Sequence, residues 1–219
     1  ILGDCWLIAG LSAIAADSPA TIRQNMVDFQ DGTYGVRLGD KFYRVDADLP
    51  VAKSGDTTPD YAALGVENSI WVAAAEKAFA HYRTGKNTYA STEYGWSIEV
   101  YKAFRFSSSS FKELTSYANA VALAADLQAR FNNQESVTLG IVAVKRGMQA
   151  NPSLVLAHMY SVASIDLDAD GNVTSIVLRN PWGFDGRAGN SEGDPNDGLV
   201  RITPTQLMAY TGRLNWGRV

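Results

Sequence analysis

Cysteine is almost missing from this sequence. Cys5 stands alone among 219 residues, so an internal disulfide is excluded. The two histidines, His81 and His158, leave too few soft ligands for a Cys/His zinc site. A lone cysteine does not by itself assign a redox compartment. Basic residues are not in excess, with 19 Lys and Arg against 23 Asp and Glu and a formal net charge of −4. Nothing in that balance suits a nucleic-acid partner. The apolar runs are short and near-helical in period, so no membrane segment is expected. No secretory signal sequence and no internal repeat are visible. The expectation is a soluble protein, intracellular rather than secreted. The chain opens in mid-motif at Ile1 without an initiator methionine. It is therefore expected to be a segment of a longer protein that carries further domains.

The composition that is present belongs to a globular protein, with 46% hydrophobic and 19% charged residues. That length can bury one core or the cores of two small lobes. Asp4 and Cys5 precede a small-residue apolar run from Trp6 to Ala16, bounded by Asp17-Ser18-Pro19. This pattern predicts a buried helix with Asp4 at its N-cap, where a carboxylate oxygen accepts the free N–H groups of the first turn. Tyr34–Leu38 and Lys41–Val45 alternate around Gly39-Asp40 and read as a hairpin. Residues 51–62 read as a polar loop, and Asn68 to Tyr82 as a second packed helix. Ser107 to Ser110 is a break in composition, followed by what reads as one long amphipathic helix from Phe111 to Phe131. Short β-rich runs follow at Val137–Val144, Leu154–Ile165, Val173–Leu178 and Leu199–Ile202. The expected fold class is α+β. A helical part over residues 1–106 and a β-rich part over 107–219 would face each other across a cleft.

Three residues suggest chemistry. Cys5 lies in Leu2-Gly3-Asp4-Cys5-Trp6-Leu7, His158 opens His158-Met159-Tyr160-Ser161-Val162, and Asn180 lies in Leu178-Arg179-Asn180-Pro181-Trp182-Gly183. Each has an ordinary structural reading when taken singly. A cysteine on an apolar helix is a small buried side chain, a histidine at a strand start is a packing residue, and Asn-Pro-Trp-Gly is a turn. Together, in that order, they supply a nucleophile, a base and a group that orients the base, as in a papain-type thiol hydrolase. A thiol reacts only as thiolate. A helix N-terminus and a neighbouring imidazolium both lower its pKa, so Cys5 is expected to titrate below a free thiol. Trp182 would cover the His158–Asn180 bond and keep water from competing for it.

These motifs resemble those of the calpain-type cysteine proteases. The match includes Leu2 to Ala9, the histidine and asparagine segments, Tyr43-Arg44-Val45-Asp46-Ala47-Asp48-Leu49-Pro50-Val51, and Ile70-Trp71 through Glu76-Lys77-Ala78-Phe79-Ala80. The resemblance implies a two-lobed papain-like cysteine protease that acts on protein or peptide substrates. Cys5 would be nucleophile, His158 general base and acid, and Asn180 orienter, with Trp182, Asp4 and Trp6 in support. The Cys5 backbone N–H would serve the oxyanion hole. The family's second donor is a glutamine six residues before the cysteine, which places it upstream of Ile1. Removal of one such donor costs about two to three decades in rate, so a segment without it is expected to be weak. Ala157 replaces the family's glycine before the histidine, and Phe104-Arg105-Phe106-Ser107 replaces a glycine pair; both change the room left for a substrate backbone.

The family's animal members use calcium, so calcium is a possible cofactor, although none is required by the residues themselves. The downstream candidates are Asp185, Glu192, Asp194 and Asp197, which crowd one loop without aligning to the family's ligands. Asp166 to Gly171 copies the start of an EF-hand loop, but Val177 occupies the position of the bidentate glutamate. It reads instead as a hairpin turn that brings the His158 and Asn180 strands together. His81 has no matching motif, and Trp71, Trp96 and Trp216 read as packing residues. Two rival readings remain: a catalytically inactive binding module on the same fold, and acyl transfer on the same three residues.

Overall fold

The computed structural model describes residues 3–56, 59–186 and 196–219, so Glu192 and Asp194 lie outside the described residues. The apolar run after Asp4 forms α1 (Cys5–Asp17), whose Trp6, Leu7, Leu11 and Ile14 are buried. Pro19 cannot continue that helix but suits the first turn of another, and α2 (Pro19–Asn25) starts there. The chain then folds into β1 (Met26–Asp28), β2 (Thr33–Leu38) and β3 (Lys41–Asp46), an antiparallel sheet in that order. The β2–β3 hairpin has the predicted place, with Gly39 at a φ of 59° in its turn.

α3 (Trp71–Thr84) buries an alanine face, Ala73 to Ala75, Ala78 and Ala80, together with Phe79. It closes on Gly85 in the left-handed region, the usual terminator where a side chain would be strained. α4 (Ile98–Ala103) adds Val100 and Tyr101. These elements share one hydrophobic core around Trp6, Leu11, Val36, Phe79 and Phe104, and Met159 joins it from the other sheet.

The predicted helix from Phe111 to Phe131 does not form as one element. The segment begins as β4 (Ser108–Glu113), passes through a single 3-10 turn at Leu114–Ser116, and becomes α-helical only at α5 (Ala120–Asn132), where the Asn119 side chain accepts the Ala122 N–H at 2.9 Å. Sheet pairing decides this: β4 runs antiparallel to the last strand of the chain, which supplies partners a helix would forgo. There follow β5 (Ser136–Val144), β6 (His158–Leu167), β7 (Val173–Arg179), β8 (Leu199–Ile202), α6 (Pro204–Leu207) and β9 (Tyr210–Arg218). The described residues place six strands in one antiparallel sheet, ordered β4-β9-β5-β6-β7-β8. Its apolar side and α5 form a second core that includes Leu123, Leu139, Tyr160, Leu178 and Leu214.

α1 packs against β5 and β6 as well as within its own core. The seam is polar in part, with Ser161 Oγ donating to Ser12 Oγ at 3.3 Å. The N-terminus of α1 and the first residues of β6 are thereby set against each other. The β6–β7 turn is the predicted one. Asp168 Oδ1 accepts the N–H groups of Asp170 and Asn172 at 3.0 and 2.8 Å, and Gly171 takes a φ of 82°.

Candidate active site

Cys5 is the first residue of α1. Asp4 occupies the N-cap position and its carbonyl accepts the N–H groups of Leu7 and Ile8 at 2.8 and 3.2 Å. Its side chain makes no cap bond, contrary to expectation. Burial, and after it the Asp4 carboxyl, raise the carboxyl of Glu76 on α3, whose Oε2 accepts the Ala62 N–H at 3.1 Å. Glu76 is 1% exposed, and a carboxyl that deep requires a partner.

The next residue is held from outside the helix. Trp6 Nε1 donates to the Thr92 carbonyl at 2.8 Å, Ser97 Oγ donates to the Trp6 carbonyl at 2.7 Å, and Tyr94 N–H donates to the Gly3 carbonyl at 3.0 Å. The Arg83 guanidinium lies 4.8 Å from the centre of the Trp6 ring and donates to the carbonyls of Ser91, Glu93 and Tyr94 and to Glu99. Segment 91–97 is thus a brace across the start of α1.

His158 opens β6 and is 6% exposed, and Asn180 follows β7 at 1%. The hairpin register, with Ser161 opposite Arg179, carries the two together, and His158 Nε2 lies 2.9 Å from Asn180 Oδ1. That oxygen also accepts the Trp182 N–H at 3.1 Å, while Asn180 N–H donates to the Gly198 carbonyl at 2.7 Å. Asn180 accepts from Nε2, so Nδ1 is the imidazole nitrogen left to face elsewhere. The Trp182 ring lies 4.5 Å from the imidazole centre, and the Tyr160 ring meets it edge-on at 5.0 Å. The turn reading of Asn-Pro-Trp-Gly is equally visible, since Gly183 N–H donates back to the Asn180 carbonyl at 3.1 Å.

The electrostatics of Cys5 run against expectation. Burial pushes its thiol up, and the Asp4 carboxylate pushes it further; the backbone N–H groups of Met159, Trp6 and Cys5 itself oppose them and lose. The helix N-terminus does lower the thiol pKa, but desolvation outweighs it. The backbone N–H of Met159, the residue after His158, is the largest of the influences that lower the thiol, in keeping with the packing of α1 against β6.

Of the acidic loop, Asp185 and Asp197 lie among the described residues. Asp185 Oδ1 accepts Gly198 N–H at 3.0 Å and Asp197 Oδ1 accepts Leu199 N–H at 2.9 Å. No group of three or more His, Cys, Asp or Glu side chains among the described residues is placed to hold a metal ion. His81 sits in the last turn of α3 beside the Tyr43 ring. Trp96 and Trp216 carry the guanidinium groups of Arg213 and Arg130 at 4.1 and 3.8 Å.

Glu76 and Arg83 were not singled out from sequence. Glu76 does carry a signal: it interrupts the alanine face of α3, so helical periodicity places a carboxylate on the buried side. Arg83 has none, because its partners are backbone carbonyls of a loop.

A model of the calpain family of cysteine proteases matches residues 1–195. Calpain-8 of Mus musculus is 25% identical over 193 residues, which is 83% of this chain and 27% of that protein. The chain therefore spans about a quarter of that relative's length. With the match running through the Cys5, His158 and Asn180 segments, this chain belongs to the calpain family of cysteine proteases.

Proposed function

We propose that the chain is the catalytic core of a cysteine endopeptidase, two-lobed in the papain manner, with its cleft where α1 meets β6. Cys5 Sγ, as thiolate, attacks the carbonyl carbon of a peptide bond, and its proton resides on His158. The tetrahedral oxyanion takes a hydrogen bond from the Cys5 backbone N–H. His158 gives its proton to the departing amine, the C–N bond breaks, and a thioester remains on Cys5. Water, deprotonated by the same imidazole, attacks the thioester and releases the acid and the free thiol. Asn180 fixes the ring orientation, so that Nδ1 is the nitrogen available to sulfur.

The observation that carries this reading is the 2.9 Å pairing of buried His158 with buried Asn180 under the Trp182 ring. The amide holds one ring orientation, and the Trp182 ring keeps water from competing for the bond. Expected is cleavage of an unstructured protein substrate that Cys5→Ala abolishes. A second reading, an inactive binding module, is favoured by the raised Cys5 thiol, because a buried protonated sulfur is a poor nucleophile. Intact substrate together with no labelling of Cys5 by an epoxide thiol inhibitor, both in folded protein, would favour it over the enzyme.

A further inference from the structure

Trp96 is seated on a bare position of the large sheet. β5 pairs Gly140 with Met159 on β6 and with Arg213 on β9, so the three residues share one face. A Cβ on Gly140 would lie 2.8 Å from Trp96 Cζ3 and 3.2 Å from Met159 Cε. The indole therefore occupies room that a side chain on β5 would take. Glycine weakens the interior of a strand, and its use there marks a close approach from outside. The Arg213 guanidinium lies 4.1 Å from the centre of the Trp96 ring and 3.9 Å from that of Phe111 on β4. Its Nε and Nη2 donate to Glu113 Oε1 at 2.9 and 2.8 Å, which fixes the plane that grips the indole.

The backbone of Trp96 belongs to the brace across the start of α1. Its N–H donates to Glu99 Oε1 at 3.2 Å, and Glu99 holds the Arg83 guanidinium that lies over the Trp6 ring. On one side Gly95 is set against the Trp6 indole, and on the other Ser97 Oγ donates to the Trp6 carbonyl at 2.7 Å. The side chain itself is only partly buried against the first core, whereas Leu139 and Ile141, which flank Gly140, belong to the second. Trp6 follows Cys5 and Met159 follows His158. A single residue thus links the neighbour of the sulfur to the neighbour of the imidazole.

We propose that Trp96 is a positioning residue for the Cys5–His158 pair. Seated on Gly140 and clamped by Arg213, it fixes the start of α1 relative to the start of β6. This rests on the reading of Cys5 as nucleophile and His158 as its base. Trp96 acts through Trp6 on one side and through Gly140 and Met159 on the other. Proton transfer between sulfur and imidazole tolerates little displacement, so a loosened indole costs rate even where both cores stay packed.

The test uses the full chain, whose one cysteine makes labelling by an epoxide thiol inhibitor a report on Cys5 alone. Trp96→Ala should slow labelling at least about tenfold, and Trp96→Phe, which keeps a ring on the guanidinium, should return it to within about threefold of wild type. The specific readout is the effect of His158→Ala, which should be at least about tenfold smaller in the Trp96→Ala background than in wild type. Lost stability alone leaves that ratio unchanged in protein that remains folded. Gly140→Ala reaches the same contact from the sheet. It should slow labelling in wild type and change it by less than about twofold in Trp96→Ala, where the collision is gone. If Trp96→Ala does not fold, the His158→Ala effect is measured in Gly140→Ala instead. An undiminished His158 effect, or wild-type labelling by Gly140→Ala, would overturn the positioning role. Equal labelling of wild type and His158→Ala would overturn the catalytic reading. The seat is read independently, as an upfield ring-current shift of the Gly140 α-protons in the NMR spectrum of wild type; no such shift would overturn the proposal whatever the labelling shows.

Discussion

Ala157 holds a φ of 51° immediately before His158. An L-residue in that region costs about 1–2 kcal/mol, and the family's glycine would avoid the cost. Glycine gives back about 0.5–1 kcal/mol through the freedom of the unfolded chain. Ala157→Gly should therefore raise stability by about 0.5–1 kcal/mol, read as a higher urea midpoint at unchanged slope. A lower midpoint would mean that the alanine methyl has a packing role. Glu76 makes a second prediction, one of pH. Its folded pKa is raised, so its contribution to stability is full below about pH 4.5, its unperturbed value, and is lost as pH rises toward the folded value. In the unfolded chain the carboxyl ionises early, and in the folded chain it does not. Wild type should lose stability on going from acid to neutral and alkaline pH by more than Glu76→Gln does. Parallel curves for the two proteins would contradict a buried protonated Glu76.

The brace across α1 depends on one close approach. A Cβ on Gly95 would lie 2.5 Å from Trp6 Cε2. The indole cannot retreat, held by its bond to Thr92, by Arg83 and by the edge of Phe79 at 5.5 Å. Gly95→Ala should cost about 1–3 kcal/mol and slow Cys5 alkylation, because the strain falls on the residue next to the nucleophile candidate. Wild-type stability in this variant would show that the brace yields. Elements with strong local patterns were legible in sequence. The Ala/Leu/Ile run of α1, the β2–β3 alternation and the Asp-Gly turn after β6 all formed as local chemistry dictates. β9 was not singled out in sequence: Tyr210, Leu214 and Trp216 do fall on alternate positions, but Gly212 breaks the apolar series and leaves only a short Arg213-Leu214-Asn215-Trp216 alternation. Tertiary context makes it a strand. A side chain at Gly212 would collide with the Gly140 carbonyl, beside the register shift between Ile141 and Ala143. β4 was misread for the same reason, since Phe111, Leu114 and Tyr117 mimic helical spacing while their segment is recruited by β9.

The candidate site exists only because distant parts of the chain meet. α1 carries Cys5 from the first core onto β6, and the β6–β7 hairpin delivers His158 to Asn180. Sequence order and flanking motifs named these residues, but they could not show which force would win at the sulfur. The N–H groups around Cys5 were foreseeable from its place at a helix start. The burial that outweighs them depends on β6 packing against α1. A buried, raised thiol can still react if the imidazole takes its proton as an electrophile arrives, which is a property of the assembled pair. The decisive measurement is the rate at which an epoxide thiol inhibitor labels Cys5, followed by mass spectrometry in wild type, His158→Ala and Asn180→Ala. An assembled pair predicts labelling in wild type, at least about a hundredfold loss in His158→Ala, and an intermediate loss in Asn180→Ala. Equal rates in all three folded proteins would contradict it and leave Cys5 an ordinary buried cysteine.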